Sequence, residues 1–207
     1  MSRRHFTDLR LSVAEEAARI ISEQGIADFR LAKHKAAERC GLRDFRNLPG
    51  NEEIESALRN RQRLFGGARH RSHLRNLREA ACIAMRQLEA FQPRLVGAVL
   101  SGCATEHSAI QLHLFTDQDE SLQFFLERRG LSCELDQKRF RLRSEEYCYQ
   151  PVFRFTADGT YFEAAVFALN GLRQAPCSPV DGQPMQRAGL HEVEELLQEA
   201  EEPALFG

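Results

Sequence analysis

The 207-residue chain has no apolar run near the ~18 residues needed to cross a bilayer, so its sequence offers no membrane-spanning helix. Its first residues, MSRRHFTDLRLSV, carry basic side chains but lack the apolar segment of a secretory signal, and a cytoplasmic protein is expected. Six cysteines occur, Cys40, Cys82, Cys103, Cys133, Cys148 and Cys177, yet none belongs to a CxxC pair and their spacing is irregular. This argues against a structural zinc site and fits scattered thiols in a reducing compartment. Internal repeats and low-complexity tracts are also missing, so nothing points to a repeat array.

What is present has the balance of a globular protein, with 43% hydrophobic and 28% charged residues. The net charge of −2 hides an asymmetry. Residues 1–94 hold 19 Lys and Arg against 12 Asp and Glu, whereas residues 95–207 hold 9 against 18. The split implies two modules, at residues 1–92 and 93–207, and a polyanionic partner would suit the first.

Periodicity assigns helices to the first module. Ser12 reads as the cap of a helix to Gln24, with Val13, Ala17, Ile20 and Ile21 on one face and Gly25 as its stop. A second helix is expected over residues 31–40, ending at Gly41. The loop LRDFRNLPGN follows, and then a third helix capped by Asn51 and stopped by Gly66-Gly67. A long fourth helix runs from Arg71 to Phe91, with Leu74, Leu77, Ala81, Met85 and Leu88 as its stripe and Pro93 after it.

The period then changes. LVGAVL (95–100) reads as a buried strand and IQLHLF (110–115) as an alternating one. Residues 121–130 read as a helix and 132–143 as one or two short strands. Residues 151–169 read as a hairpin about Asp158-Gly159, and LHEVEELLQEA as a closing acidic helix. The expected fold class is α+β, a helical module followed by a mixed sheet with flanking helices.

The stretch LSGCATEHSAIQLHLF (100–115) is defined by two missing acids. It resembles the signature of the nucleotidyltransferase superfamily, in which an apolar strand leads to Gly followed by Gly or Ser, a loop, and Asp-x-Asp in a second strand, often within SDIDL. Gly102-Cys103 match the first pair, and Ser108-Ala109-Ile110-Gln111-Leu112 match the second motif except at both aspartates. Glu163 in YFEAAVF corresponds to the family's third carboxylate. The likeness spans residues 95–170 and is similar to that of bacterial nucleotidyltransferase-like proteins with a helical N-terminal part. It implies a nucleotide or nucleic-acid ligand held by Ser101, Gly102, Cys103 and Ser108.

Nucleotidyl transfer needs Mg²⁺ held by hard oxygen ligands, and carboxylates at i and i+2 of a strand face one side and share metals. Ala109 offers no ligand and Gln111 only a neutral amide oxygen. The implied protein is therefore a degenerate, non-catalytic member that needs no cofactor. Mg²⁺ or Mn²⁺ would enter only if an unorthodox site remained, for instance one rebuilt from Glu106, His107, His113 and Glu163. Read without the resemblance, Gly102 is a turn glycine, Ala109 and Gln111 are a solvent-facing strand edge, and Glu163 is a hairpin surface residue.

RNRQRLFGGARHRSHLRNLR (59–78) contains seven arginines and no acid. Arginine forks bond phosphate oxygens, so Arg59, Arg61, Arg63, Arg71, Arg75 and Arg78 are candidates for nucleic-acid binding. They equally suit an acidic protein partner or ion pairs within the chain. His70 and His73, at i and i+3, are a weak metal signal. AARIISEQGIADFRLAKHKAAERCGL is similar to the first two helices of TetR-type DNA-binding domains, but RDFRNLPGN is too short, and too broken by Pro49, to supply a recognition helix.

Overall fold

A computed structural model describes residues 3–26, 28–42, 48–143 and 146–200. The chain divides into two units. One comprises residues 1–71, 103–108 and 179–181; the other comprises 72–102, 109–178 and 182–207.

The first unit is helical: α1 (Arg3–Gln24), α2 (Phe29–Arg39) and α3 (Asn51–Arg61). Val13, Ala14, Ala17, Ile20 and Ile21 of α1 share a core with Ala32, Ala36 and Ala37 of α2 and Ile54 and Leu58 of α3. The small alanines let the helices approach closely. Asp28 caps α2 by accepting from the N–H groups of Arg30 and Leu31, and Gly25 and Gly41 leave helices at φ +68° and +69°.

Two expected caps are corrected. Ser12 lies inside α1, where its hydroxyl donates to the carbonyl of Asp8, four residues back, a bond that accommodates serine in mid-helix. At α3 the cap is Gly50, whose N–H donates to Glu53 at 2.6 Å, while the Asn51 amide reaches the carbonyl of Pro179. In the loop 42–51, residues 43–47 lie outside the described ones, and so does most of the segment that would have to serve as a recognition helix.

Helix α3 runs on through a π-helical turn (Gln62–Gly66), and Gly67, at φ +48°, opens α4 (Gly67–Gln87). Gly66-Gly67 thus redirect a helix rather than ending one, and α4 starts four residues earlier than its stripe implied. A 3-10 turn at Glu89–Phe91 closes it.

The second unit holds an open, mixed five-stranded sheet in the order β1-β2-β5-β4-β3. Its strands are β1 (Arg94–Val96), β2 (Ile110–Phe115), β3 (Cys133–Arg141), β4 (Tyr147–Ala157) and β5 (Thr160–Phe167). Helices α5 (Gly97–Ser101), α6 (Asp119–Arg128) and α7 (Leu190–Glu199) complete it. The pair β2–β5 is parallel and the other pairs are antiparallel. Asp158 and Gly159, at φ +49° and +74°, make the expected two-residue hairpin turn between β4 and β5.

LVGAVL is not one strand. It is strand only through Val96, and helix α5 begins at Gly97. The expected short strands at 132–143 are one nine-residue strand, and β4 starts at Tyr147 rather than at 151.

Alternation gives the sheet two different faces. Ile110, Leu112, Leu114, Phe162, Ala164 and Val166 are buried on one, and α4, α6 and α7 carry buried apolar residues of their own. The opposite face is apolar only in part, where Phe115, Phe140, Val152, Ala165 and Phe167 cluster with Leu172 and Met185. Its remainder is polar, and the candidate site lies there. No helix among the described residues is long and apolar enough to cross a membrane.

Candidate functional site

The parallel register of β2 and β5 sets Gln111 directly beside Glu163. The antiparallel register of β5 and β4 sets Glu163 beside Arg154. A row of polar side chains therefore crosses adjacent strands on one face. Gln111 Nε2 donates to Glu163 Oε1 at 3.3 Å. Lys138 Nζ, from β3, lies 2.6 Å from the same oxygen, and Arg154 Nε lies 3.4 Å from Oε2. Arg154 also binds Asp136 at 2.6 Å.

The Glu163 side chain is only 16% exposed. Burial pushes its carboxyl upward, but Lys138 and Arg154 outweigh burial and hold it below the usual carboxylate value. Asp136 is likewise held low, first by the N–H of Gln137 and then by Arg154. The face carries three carboxylates, Glu134, Asp136 and Glu163, and two cations, with Glu134 the register partner of Arg154. Side-chain cations thus meet Glu163, and it is not the exposed hairpin residue that a reading of residues alone allowed. Beside the row, an open cleft of about 480 Å³ is lined by Glu134, Arg154, Thr156 and Tyr161.

Glycine explains the close packing at the other end of the row. Gly97 has φ +71°, and a Cβ built there would lie 2.0 Å from Gln111 Oε1. The Gln111 amide occupies the space that glycine leaves, and Gly97 is the glycine at which β1 ends. Gly102, at φ +82°, ends helix α5 instead, and a Cβ there would meet only ordinary contacts.

The other residues of the stretch have local duties. Ser101 is the last residue of α5, and its hydroxyl lies 3.5 Å from the Ala98 carbonyl. Ser108 Oγ accepts from the N–H of Thr105 at 2.8 Å, closing the loop on itself. Cys103 is buried in the helical core, and the carbonyls of Cys103 and Ala104 accept from the buried amide of Gln62 on the π-helical turn. Ala109 immediately precedes β2.

The alternative metal set is not assembled. Glu106 pairs with Arg69 at 2.6 Å and His107 lies against Gly25, both in the helical unit. His113 is buried in the sheet unit, where its Nδ1 accepts from Arg187 Nε at 3.0 Å. Burial, with Arg187 and Lys138, keeps that imidazole neutral. Among the described residues no group of three metal-ligating side chains comes together.

The arginines also separate. Arg78 is half-buried and donates to the carbonyls of Val99, Leu100 and Leu196, which takes its guanidinium away from any outside phosphate. Arg61 binds Glu23 at 2.7 Å, Arg75 binds Glu79 at 2.8 Å, and Arg59 lies 4.0 Å from Glu55. Arg63 and Arg71 are exposed.

Reasoning from sequence missed Lys138, Arg154 and Asp136. Alternating charge in CELDQKRFR was a signal for a strand, but register across strands is what joins these residues to Glu163. No protein-family model, curated protein or solved structure matches the chain.

Proposed function

We propose that this protein is a nucleotide-binding, non-catalytic relative of the nucleotidyltransferases, in which side-chain cations stand where divalent metal ions would be needed for transfer. The observation that carries the reading is the row Gln111–Glu163–Arg154, with Lys138 on the same carboxylate. The SxIxL frame, the parallel register of β2 with β5, and the glycine that ends β1 against Gln111 all support it.

Transfer needs carboxylates to hold metal at the phosphates, and a neutral amide and a methyl group at 111 and 109 cannot supply that charge. Lys138 and Arg154 instead offer positive charge to phosphate directly, in place of a metal ion. Their carboxylate partners include Asp136, whose side chain is 53% exposed, and Lys138 is itself 43% exposed. An exposed carboxylate such as Asp136 contributes only ~0–1 kcal/mol to its pair, so a polyphosphate displaces it from Arg154 at little cost, while Glu163, 16% exposed, stays between the two cations. The forked guanidinium of Arg154 then bonds two phosphate oxygens while Lys138 adds a point charge. Tyr161, 44% exposed at the cleft, offers a ring face to the base.

Isothermal titration with nucleoside triphosphates tests this. Binding should persist in EDTA and weaken in both Lys138→Ala and Arg154→Ala. No heat with any nucleotide refutes the reading. Transfer of label from NTP to protein or RNA, with Mg²⁺ or Mn²⁺, would favour an active transferase instead.

A further inference from the structure

The β3–β4 hairpin outruns the rest of the sheet. Strand β5 pairs with β4 only from Val152 to Ala157, whereas β3 pairs with β4 from Tyr147 to Phe155. In the extension, alternation sorts the side chains sharply. Lys138, Phe140, Cys148 and Gln150 point to the face that carries Glu163. Gln137, Arg139, Arg141, Tyr147, Tyr149 and Pro151 point to the other. Glu134 and Asp136 lie on the Glu163 face as well, so within these paired strand segments the second face has no acid.

On that second face Arg139 is the register partner of Tyr149 and Arg141 that of Tyr147. Tyr147 and Tyr149 are 53% and 58% exposed, and Leu135, farther along the same face opposite Phe153, is 62% exposed. Arg139 and Arg141 are exposed and, among the described residues, neither is in an ion pair. The Arg139 guanidinium lies 4.4 Å from the Tyr147 ring centroid.

We infer that this face is a binding platform for single-stranded nucleic acid. Bases would stack on Tyr147 and Tyr149, and Arg139 and Arg141 would meet the phosphates. Two tyrosines at i and i+2 on one strand face are roughly 6.6 Å apart along it, which suits successive unstacked bases. A base inside a duplex has no free ring face, so the surface selects single strands. A second copy of the chain fits less well, because it would bring four unpaired arginines together. The inference goes beyond the nucleotide reading and does not depend on it, since it uses none of Gln111, Glu163, Lys138 or Arg154.

The test is fluorescence anisotropy with the full chain and a labelled oligonucleotide of about 12 nucleotides, within the ~4–16 typical of such platforms. RNA and DNA single strands and the matching duplex are compared. Tyr147→Ala with Tyr149→Ala should weaken single-strand binding at least tenfold, whereas Tyr147→Phe with Tyr149→Phe should stay within about twofold. Arg139→Gln with Arg141→Gln should reduce the slope of log affinity against log salt by about 1.4, given roughly 0.7 per phosphate contact on single strands. Several results would overturn the inference: unchanged affinity in the alanine variant, equal binding of the duplex, or no binding by the wild type. So would light scattering that shows a wild-type dimer which the alanine variant dissociates. All the altered side chains are exposed, so thermal melts of the variants should overlay the wild type. The phenylalanine and glutamine pairs keep the test decisive if the alanine pair melts early.

Discussion

Replacing Glu163 by Gln keeps the shape of the side chain and its contact with Gln111, and removes only the charge. At neutral pH the wild-type carboxylate is one-sixth exposed and meets Lys138 at 2.6 Å and Arg154 at 3.4 Å. Breaking a fully buried pair costs ~3–5 kcal/mol, because a charge is left stranded. Here neither cation is stranded: Arg154 keeps Asp136, and Lys138 is 43% exposed and rehydrates. The expected loss at pH 7 is therefore about 1–2 kcal/mol, or roughly 2–8 °C in Tm for a chain of this size. The pH dependence follows from the direction of the shift. The folded carboxyl titrates below its unfolded value of about 4.3. Its stabilisation is present in full above the unfolded value and is lost as pH falls through the folded one. Thermal or urea melts of wild type and Glu163→Gln from pH 8 to pH 3 should show a gap that is constant near neutrality and closes in acid. A gap that does not depend on pH, or no gap at pH 7, would refute the ionic account of this row.

Two further substitutions probe the packing around the row. Gly97→Ala adds a methyl group 2.0 Å from the Gln111 amide oxygen at φ +71°, and should cost ~2–3 kcal/mol in urea unfolding; adding Gln111→Ala should recover only the clash and leave the backbone strain, and an unmoved midpoint in the single variant would contradict the geometry. Arg78→Ala strips three backbone carbonyls of a half-buried donor and should lower stability by ~2–3 kcal/mol, whereas a Tm within about one degree of wild type would return Arg78 to the surface role its sequence context implied.

Glycines carried much of what could be read in advance. Gly25, Gly41, Gly130 and the Asp158-Gly159 turn sit where the chain needs positive φ, and each ended or reversed an element as expected. Apolar runs were less informative. LVGAVL reads alike as a buried strand or a buried helix, and only the bonding of Leu95 and Val96 to β2 divides it at Gly97. Ser12 misled because a serine hydroxyl serves equally as a cap or, in mid-helix, as a donor to the carbonyl four residues back. At the site, Gln111 and Glu163 were legible as a pair through their motif frame. Lys138 and Arg154 were not, because their positions depend on how β3 and β4 align with β5, and nothing local encodes that register. The role of Arg78 was hidden for the same reason: its acceptors lie about 20 and more than 100 residues away in sequence.

The sheet order also bears on how the site comes into being. Strands β3, β4 and β5 form a meander, following one another in the chain and lying side by side in the sheet, so their contacts close small loops and are entropically inexpensive. Lys138, Arg154 and Glu163 all lie within it, so their ion network can form while the rest of the sheet is still open. Gln111 comes from 52 residues upstream and joins through the parallel pair, the slow kind of closure. In the meander alone the charges would already meet, whereas the Gln111 amide would join only once β2 pairs with β5. The Gln111–Glu163 contact would therefore report on the β2–β5 pairing and not on the meander.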